Sequence, residues 1–183
     1  AALANAYAAG YKTQWVLGSV GGDATTIAAT NKAYVPLLYG AKGFSFAPAP
    51  TDATDEYIKL FQSIYATAQP TQTFDNNVVA GMSNAFVAVQ ALQAAGSNLT
   101  REGLMKTIEA KGASFANPFL TPLGYSATSH VGATGYWIGT YDPTGALKPD
   151  GGKYTVYTTD SGNGPVVESS YKRPAMPAKG LPN

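Results

Sequence analysis

The chain predicts an α/β fold, and three observations carry that prediction. A strand-like run, QWVLG from Gln14 to Gly18, opens into a glycine-rich loop and then into a helix led by Asp23. A second strand-length stretch, Gly43 to Ala47, is followed by the proline-bearing segment APAPTD and an amphipathic helix. A third and longer helical pattern covers Asn77 to Ala95. Strand, loop and helix in repeating order are the units of a sheet with helices on its faces.

Each element has a local justification. Leu3, Ala4, Ala6 and Tyr7 fall on one side of a short helix that Gly10 can close in a left-handed conformation. QWVLG then runs toward the loop Gly18 to Gly22, and Asp23 is placed to cap a helix through Ile27 and Ala28 toward Tyr34. Residues 43–47 alternate small and aromatic side chains. Pro48 and Pro50 lack the amide that a helix interior or central strand would need, which makes APAPTD the linker of the chain. From Asp55 to Ala68, Tyr57, Ile58, Phe61, Ile64 and Tyr65 recur at helical spacing until Gln69-Pro70 stops them. Along Asn77 to Ala95 the predicted inner stripe is Val78, Met82, Ala85, Val89 and Leu92. Asn98 or Thr100 caps the next helix, whose inner face is read as Leu104, Met105 and Ile108. Beyond it the signals change to strands, PLGY, YSATS, GYWIGTY and KYTVYTT, with turns at DPTG and PDGG.

Composition removes several classes of function. A chain of 183 residues can bury one ordinary core or be about half of a two-lobed molecule. Twelve Lys and Arg against eleven Asp and Glu leave no basic stripe to neutralise phosphates, so neither nucleic acid nor an anionic membrane surface is an expected partner. The absence of cysteine removes disulfides, thiolate zinc sites and thiol nucleophiles. The alanine-rich opening is read as neither signal peptide nor membrane span, because Asn5, Tyr7 and Lys12 interrupt it. YKRPAMPAKGLPN lacks apolar periodicity and is expected to be a surface tail.

The motifs point to binding more than to catalysis. GSVGGDATT lacks the terminal Gly-Lys-Ser/Thr of a nucleotide loop, and Leu17 stands where a G-x-S-x-G elbow around Ser19 would need glycine. What the glycines can do is keep backbone amides accessible at the carboxyl end of a strand, where open α/β sheets bind ligands. Gly18, Ser19, Val20 and Gly21 are therefore candidate ligand-binding residues. His130, the sole histidine, reads as structural, and with one imidazole and no acidic cluster no metal or other cofactor is expected. Asn98-Leu99-Thr100 matches a glycosylation acceptor, but helix capping explains it better. Asp75, Asn76 and Asn77 read as a cap cluster before the long helix. Twelve Tyr and seven Phe mostly fall at core spacings and do not by themselves indicate an aromatic platform.

The order GMSN, AFVAVQALQAAG, SNLTREGLMKTIEAKG, a glycine-marked strand and His130 resembles the closing third of the branched-chain amino acid type of ABC-transporter solute-binding protein. LANAYAAGYKTQWVLGS is similar to that family's helix, turn and strand, and GFSFAPAP to a strand crossing between its lobes, so the resemblance covers nearly the whole chain. It implies a type I periplasmic-binding-protein-like fold, with parts of two Rossmann-like lobes joined by crossing strands. Residues 1–48 and 131–183 would be parts of one lobe, the second, and 51–129 part of the other, the first-lobe opening half of the protein lying outside this chain. The implied function is a non-enzymatic, extracytoplasmic component of an ABC importer, periplasmic or lipid-anchored. Its partners would be a small-molecule solute, an ABC permease and the N-terminal half of the same protein. A ligand-sensing receptor domain is the rival reading, and an α/β hydrolase a weaker one.

The resemblance also bears on the ligand. In similar proteins the segment before the long helix lines the interlobe cleft, which adds Asp75, Asn76 and Asn77 to the ligand-binding candidates. An aromatic is common near the position of Asn77 and a tyrosine where Met82 stands, and both departures point to a different ligand. Where family members place a carboxylate for an amino acid's ammonium group, the alignment puts Ser19, which can hydrogen-bond but cannot neutralise that charge. The expected solute is a small organic molecule, amino acid-like, an amide, or an aromatic or aliphatic acid, leaning to one less cationic than an ordinary branched-chain amino acid, with Asp23 the residue that could return the charge.

Overall fold

Four short side chains set where four helices begin. Asp23 accepts a hydrogen bond from the Thr26 amide, Asp55 from those of Tyr57 and Ile58, Asp75 from that of Val78, and Thr100 from that of Gly103. Each satisfies an amide that has no partner within its own helix. The computed structural model describes residues 2–11, 13–19, 22–97, 99–158 and 164–177. It divides into two units, Ala1–Ser45 with Trp137–Thr155, and Phe46–Tyr136 with Val156–Asn183.

The first unit contains α1 (Ala2–Ala8), β1 (Val16–Leu17), α2 (Ala24–Asn31), β2 (Lys42–Ser45), most of β3 (Gly135–Tyr141) and β4 (Leu147–Pro149). After α1, Gly10 adopts a φ of 70°, as the left-handed closure requires. Pro36 has no amide to offer the preceding turn, and α2 continues as a 3-10 segment, Lys32–Leu38, through the expected position of Tyr34. β1 runs parallel to β2, with Val16 opposite Lys42, so only two residues of QWVLG form a strand. β2 pairs antiparallel with β3, Ser45 opposite Trp137, and β3 pairs antiparallel with β4. Leu38, Ala41 and Tyr141 form the core, covered by Leu3, Trp15, Leu17, Ile27 and Leu147. Asp142 closes the β3–β4 turn by accepting from the amides of Thr144 and Ala146.

The second unit contains α3 (Glu56–Ala68), α4 (Asn76–Ala95), α5 (Arg101–Lys111), β5 (Val156–Thr158) and β6 (Val167–Glu168), the last two antiparallel. One core cluster joins Ile58, Val79, Val87, Ala91, Phe115, Phe119 and Leu123. Another joins Tyr57, Phe61 and Phe86, with ring centroids 5.4 to 6.4 Å apart and mostly edge-on.

Several expectations need correction here. The buried face of α4 is Val79, Ser83, Phe86, Val87 and Ala91, whereas Val89 and Leu92 are 43% and 45% exposed. The helix is apolar around most of its circumference, so periodicity alone did not fix its rotation; insertion of Phe86 between Tyr57 and Phe61 does. Met105 is likewise exposed, while Leu104 and Ile108 pack inward. PLGY and YSATS make isolated bridges only, Leu123 to Ala133 and Ser126 to Ser129. Pro122 has no amide to give a ladder, and Ser126 and Ser129 close a tight turn on each other. Ala47 and Pro48, expected in a linker, are buried with the second unit. Asn98 lies outside the described residues, and Thr100 makes the α5 cap.

The end of the chain is the largest difference. Residues 156–158 and 164–177 are docked on the second unit, not loose, and group there instead of with 1–48. Tyr171 accepts a hydrogen bond from Asn117 Nδ2 at 3.1 Å, and Met176 packs against the Tyr57 cluster. Arg173 donates to the Pro118 carbonyl at 2.9 Å and ion-pairs with Asp55. Its guanidinium carbon lies 4.8 Å from the Tyr57 ring centroid. No apolar period announces such a strap, because polar contacts and one cation–π contact hold most of it.

Candidate functional site

In the first unit, β1 delivers the chain into the loop that the sequence singles out. Gly18 and Ser19 are exposed, and the Gly18 carbonyl accepts a hydrogen bond from the Gly22 amide at 2.9 Å, closing the loop on itself. Val20 and Gly21 lie outside the described residues. Ser19 therefore offers a hydroxyl to solvent at the carboxyl end of a strand.

Asp23 differs sharply from its neighbours. It is 3% exposed, and its carboxylate takes the Thr26 amide at 2.7 Å. A carboxylate turned into the start of α2 serves the helix. Beneath it Tyr141 is buried, and desolvation, followed by the negative charge of Asp23, pushes its phenol up to about 12.

In the second unit, the expected cluster at the start of α4 resolves into separate roles. Asp75 is the N-cap, bonded to the Val78 amide at 2.9 Å, while Asn76 and Asn77 are exposed in the first turn. Two carboxamides on the surface can hydrogen-bond a polar solute but carry no charge. His130 sits on the surface with Nε2 3.0 Å from Glu109 Oε1. Among the described residues, no group of three or more His, Cys, Asp or Glu could hold a metal ion.

Sequence reasoning missed an apolar groove of about 550 Å³ in the second unit, lined by Phe46, Val87, Ala91, Ile108, Phe115 and Phe119. Asn84 and Tyr125 are the lining residues with polar side-chain atoms. The groove can accept an apolar group but has few polar groups to fix its orientation. The small residues Ala88 and Ala91 on one face of α4 were the available signal. Length and composition alone would let α4 pass for a membrane span, yet Val79, Phe86, Val87 and Ala91 are packed inside the unit.

The α/β architecture and its strand-to-helix loop are those of a type I periplasmic binding fold. The chain belongs to the periplasmic binding protein family, which it matches over residues 1–147. Among solved structures it is similar to a branched chain amino acid ABC transporter from Thermus thermophilus with bound valine, with a TM-score of 0.69 and 19% sequence identity. That similarity covers 87% of this chain and 43% of the other, so the chain spans less than half the length of that protein. No curated protein matches the chain.

Proposed function

We propose that this chain is part of an extracytoplasmic, non-enzymatic solute-binding component of an ABC importer, which captures a small organic solute in an interlobe cleft and delivers it to a permease. Membership in the periplasmic binding protein family across residues 1–147 is the observation that carries this reading. The coverage of 43% of a matched structure supports a further partner, the N-terminal half of the same protein. Gly18, Ser19, Val20 and Gly21, together with Asp75, Asn76 and Asn77, are the residues proposed to meet the solute. Affinity would come from hydrogen bonds and apolar contacts in a cleft that excludes water.

The commitment of Asp23 to α2 supports a narrower reading. With Ser19 exposed and Asp23 buried, an ammonium group would be desolvated at this loop without a presented carboxylate, and an unpaired buried charge is costly. The proposed solute is accordingly an amide or an aromatic or aliphatic acid. Calorimetry on the complete protein with leucine, 4-methylpentanoate and benzoate tests it. An acid should bind more tightly than leucine. Micromolar leucine affinity that survives Asp23→Ala would overturn the solute class.

A further inference from the structure

We infer that Tyr141 is a positioning residue for the loop after β1: its ring, buried under Gly22 and Gly43, sets where the loop enters α2 and hence how Ser19 is presented. The inference rests on the reading of this loop as part of the solute site. Tyr141 ends β3 with its backbone held on both sides, its amide donating to the Ala41 carbonyl at 3.0 Å and its carbonyl accepting from the Gly40 amide at 3.0 Å. The side chain is 4% exposed and packs with Leu38, Ala41, Leu17 and Ile27, so the ring has a fixed place.

Two glycines identify what the ring does. Neither Gly22 nor Gly43 is among the glycines with positive φ, so backbone conformation does not require glycine at either position. In β2, glycine is an unfavourable choice. What both positions lack is room. A Cβ on Gly43 would lie 2.7 Å from Tyr141 Cε2 and 2.8 Å from its hydroxyl. On Gly22 it would lie 2.9 Å from Tyr141 Cζ and nearer still to the hydroxyl. One rigid side chain thus touches the backbone of β2 and that of the loop. Gly22 closes the loop onto Gly18 and is followed at once by the α2 cap, so its height above the ring fixes the loop closure and the helix start together.

The test combines residue-resolved hydrogen exchange on this chain with calorimetry on the complete protein, using leucine, 4-methylpentanoate and benzoate as probes. Gly22→Ala should speed exchange of the Gly22 and Thr26 positions by about tenfold and weaken any probe that binds by a similar factor. In the Tyr141→Leu background the same substitution should change neither. Tyr141→Phe, which keeps the ring, should retain most of the loop protection. Gly43→Ala supplies the same comparison from the β2 backbone if Gly22→Ala cannot be purified. An equal effect of Gly22→Ala in both backgrounds would overturn the inference, as would a loop that loosens without any change in probe affinity. If no probe binds the unaltered protein, the proposed acids fall as solutes, and the exchange cycle still decides the role of Tyr141.

Discussion

Replacing Arg173 by methionine should unfasten the end of the chain and destabilise the second unit. Arg173 and Asp55 are 19% and 7% exposed at their side chains, which places the pair where removal of one partner has its larger effect. Breaking a buried ion pair costs about 3–5 kcal/mol when the remaining charge is left uncompensated. Here the Asp55 carboxylate keeps the amides of Tyr57 and Ile58 at 3.0 and 3.1 Å, which brings the expected cost of the lost pair down to about 2 kcal/mol. Loss of the contact over Tyr57 adds about 1 kcal/mol. A total of about 3 kcal/mol corresponds to a fall in Tm of roughly 6–12 °C for a chain of this size. Urea denaturation followed by circular dichroism measures it. Asp55→Ala, which also removes the α3 cap, should cost about 1 kcal/mol more than Asp55→Asn. The double substitution should show a coupling of about 2 kcal/mol between Asp55 and Arg173. A cost below about 0.5 kcal/mol for Arg173→Met, or a coupling near zero, would refute the strap.

Three further outcomes can be measured on the same material. Ser83 Oγ is buried in the middle of α4 without a hydrogen-bond partner, so Ser83→Ala should raise stability by about 1 kcal/mol, seen as a higher urea midpoint; a lower midpoint would show that the hydroxyl is satisfied. Burial pushes Tyr57 and Tyr141 up to about 12, above the unfolded value of about 10. Their contribution is fully present below about pH 10 and is lost as pH rises toward about 12, because the unfolded chain releases those protons first. Tyr57→Phe and Tyr141→Phe should each flatten that alkaline loss, and absorbance titration of the folded chain should show late-ionising phenols. The hydrogen bond from Lys42, and then that from Thr140, hold Asp150 below the usual carboxylate range. Its contribution is present above the unfolded value of about 3.9 and lost as pH falls through its folded value, so Lys42→Met should make the acid limb shallower. An unchanged acid limb would remove this pair as a contributor.

What the sequence made legible is what depends on neighbours in the chain. Asp23, Asp75 and Thr100 cap helices through amides three residues away, and Gly10 closes α1 within one turn. Those contacts need no tertiary context, so residue type and spacing reveal them. The rotation of α4 does not work that way, because an apolar helix offers several equivalent faces and the aromatic partners of Phe86 decide among them. The strap was illegible for a similar reason: Arg173 and Asp55 are 118 positions apart, and a lone arginine among prolines carries no period. At the candidate site the glycines after β1 marked the loop, but the side on which Asp23 points, and the ring of Tyr141 beneath Gly22, follow from packing across the sheet. The groove lined by Phe46, Phe115 and Phe119 has residues from three distant segments, which no single pattern unites.

The most direct measurement is a paired calorimetric titration of the complete protein and of this chain alone, with leucine, 4-methylpentanoate and benzoate. Micromolar binding of at least one acid by the complete protein, with negligible heat from the isolated chain, is the expected result for a solute held between lobes to which this chain contributes only part. Micromolar binding of the same solute by the monomeric chain on its own would contradict it.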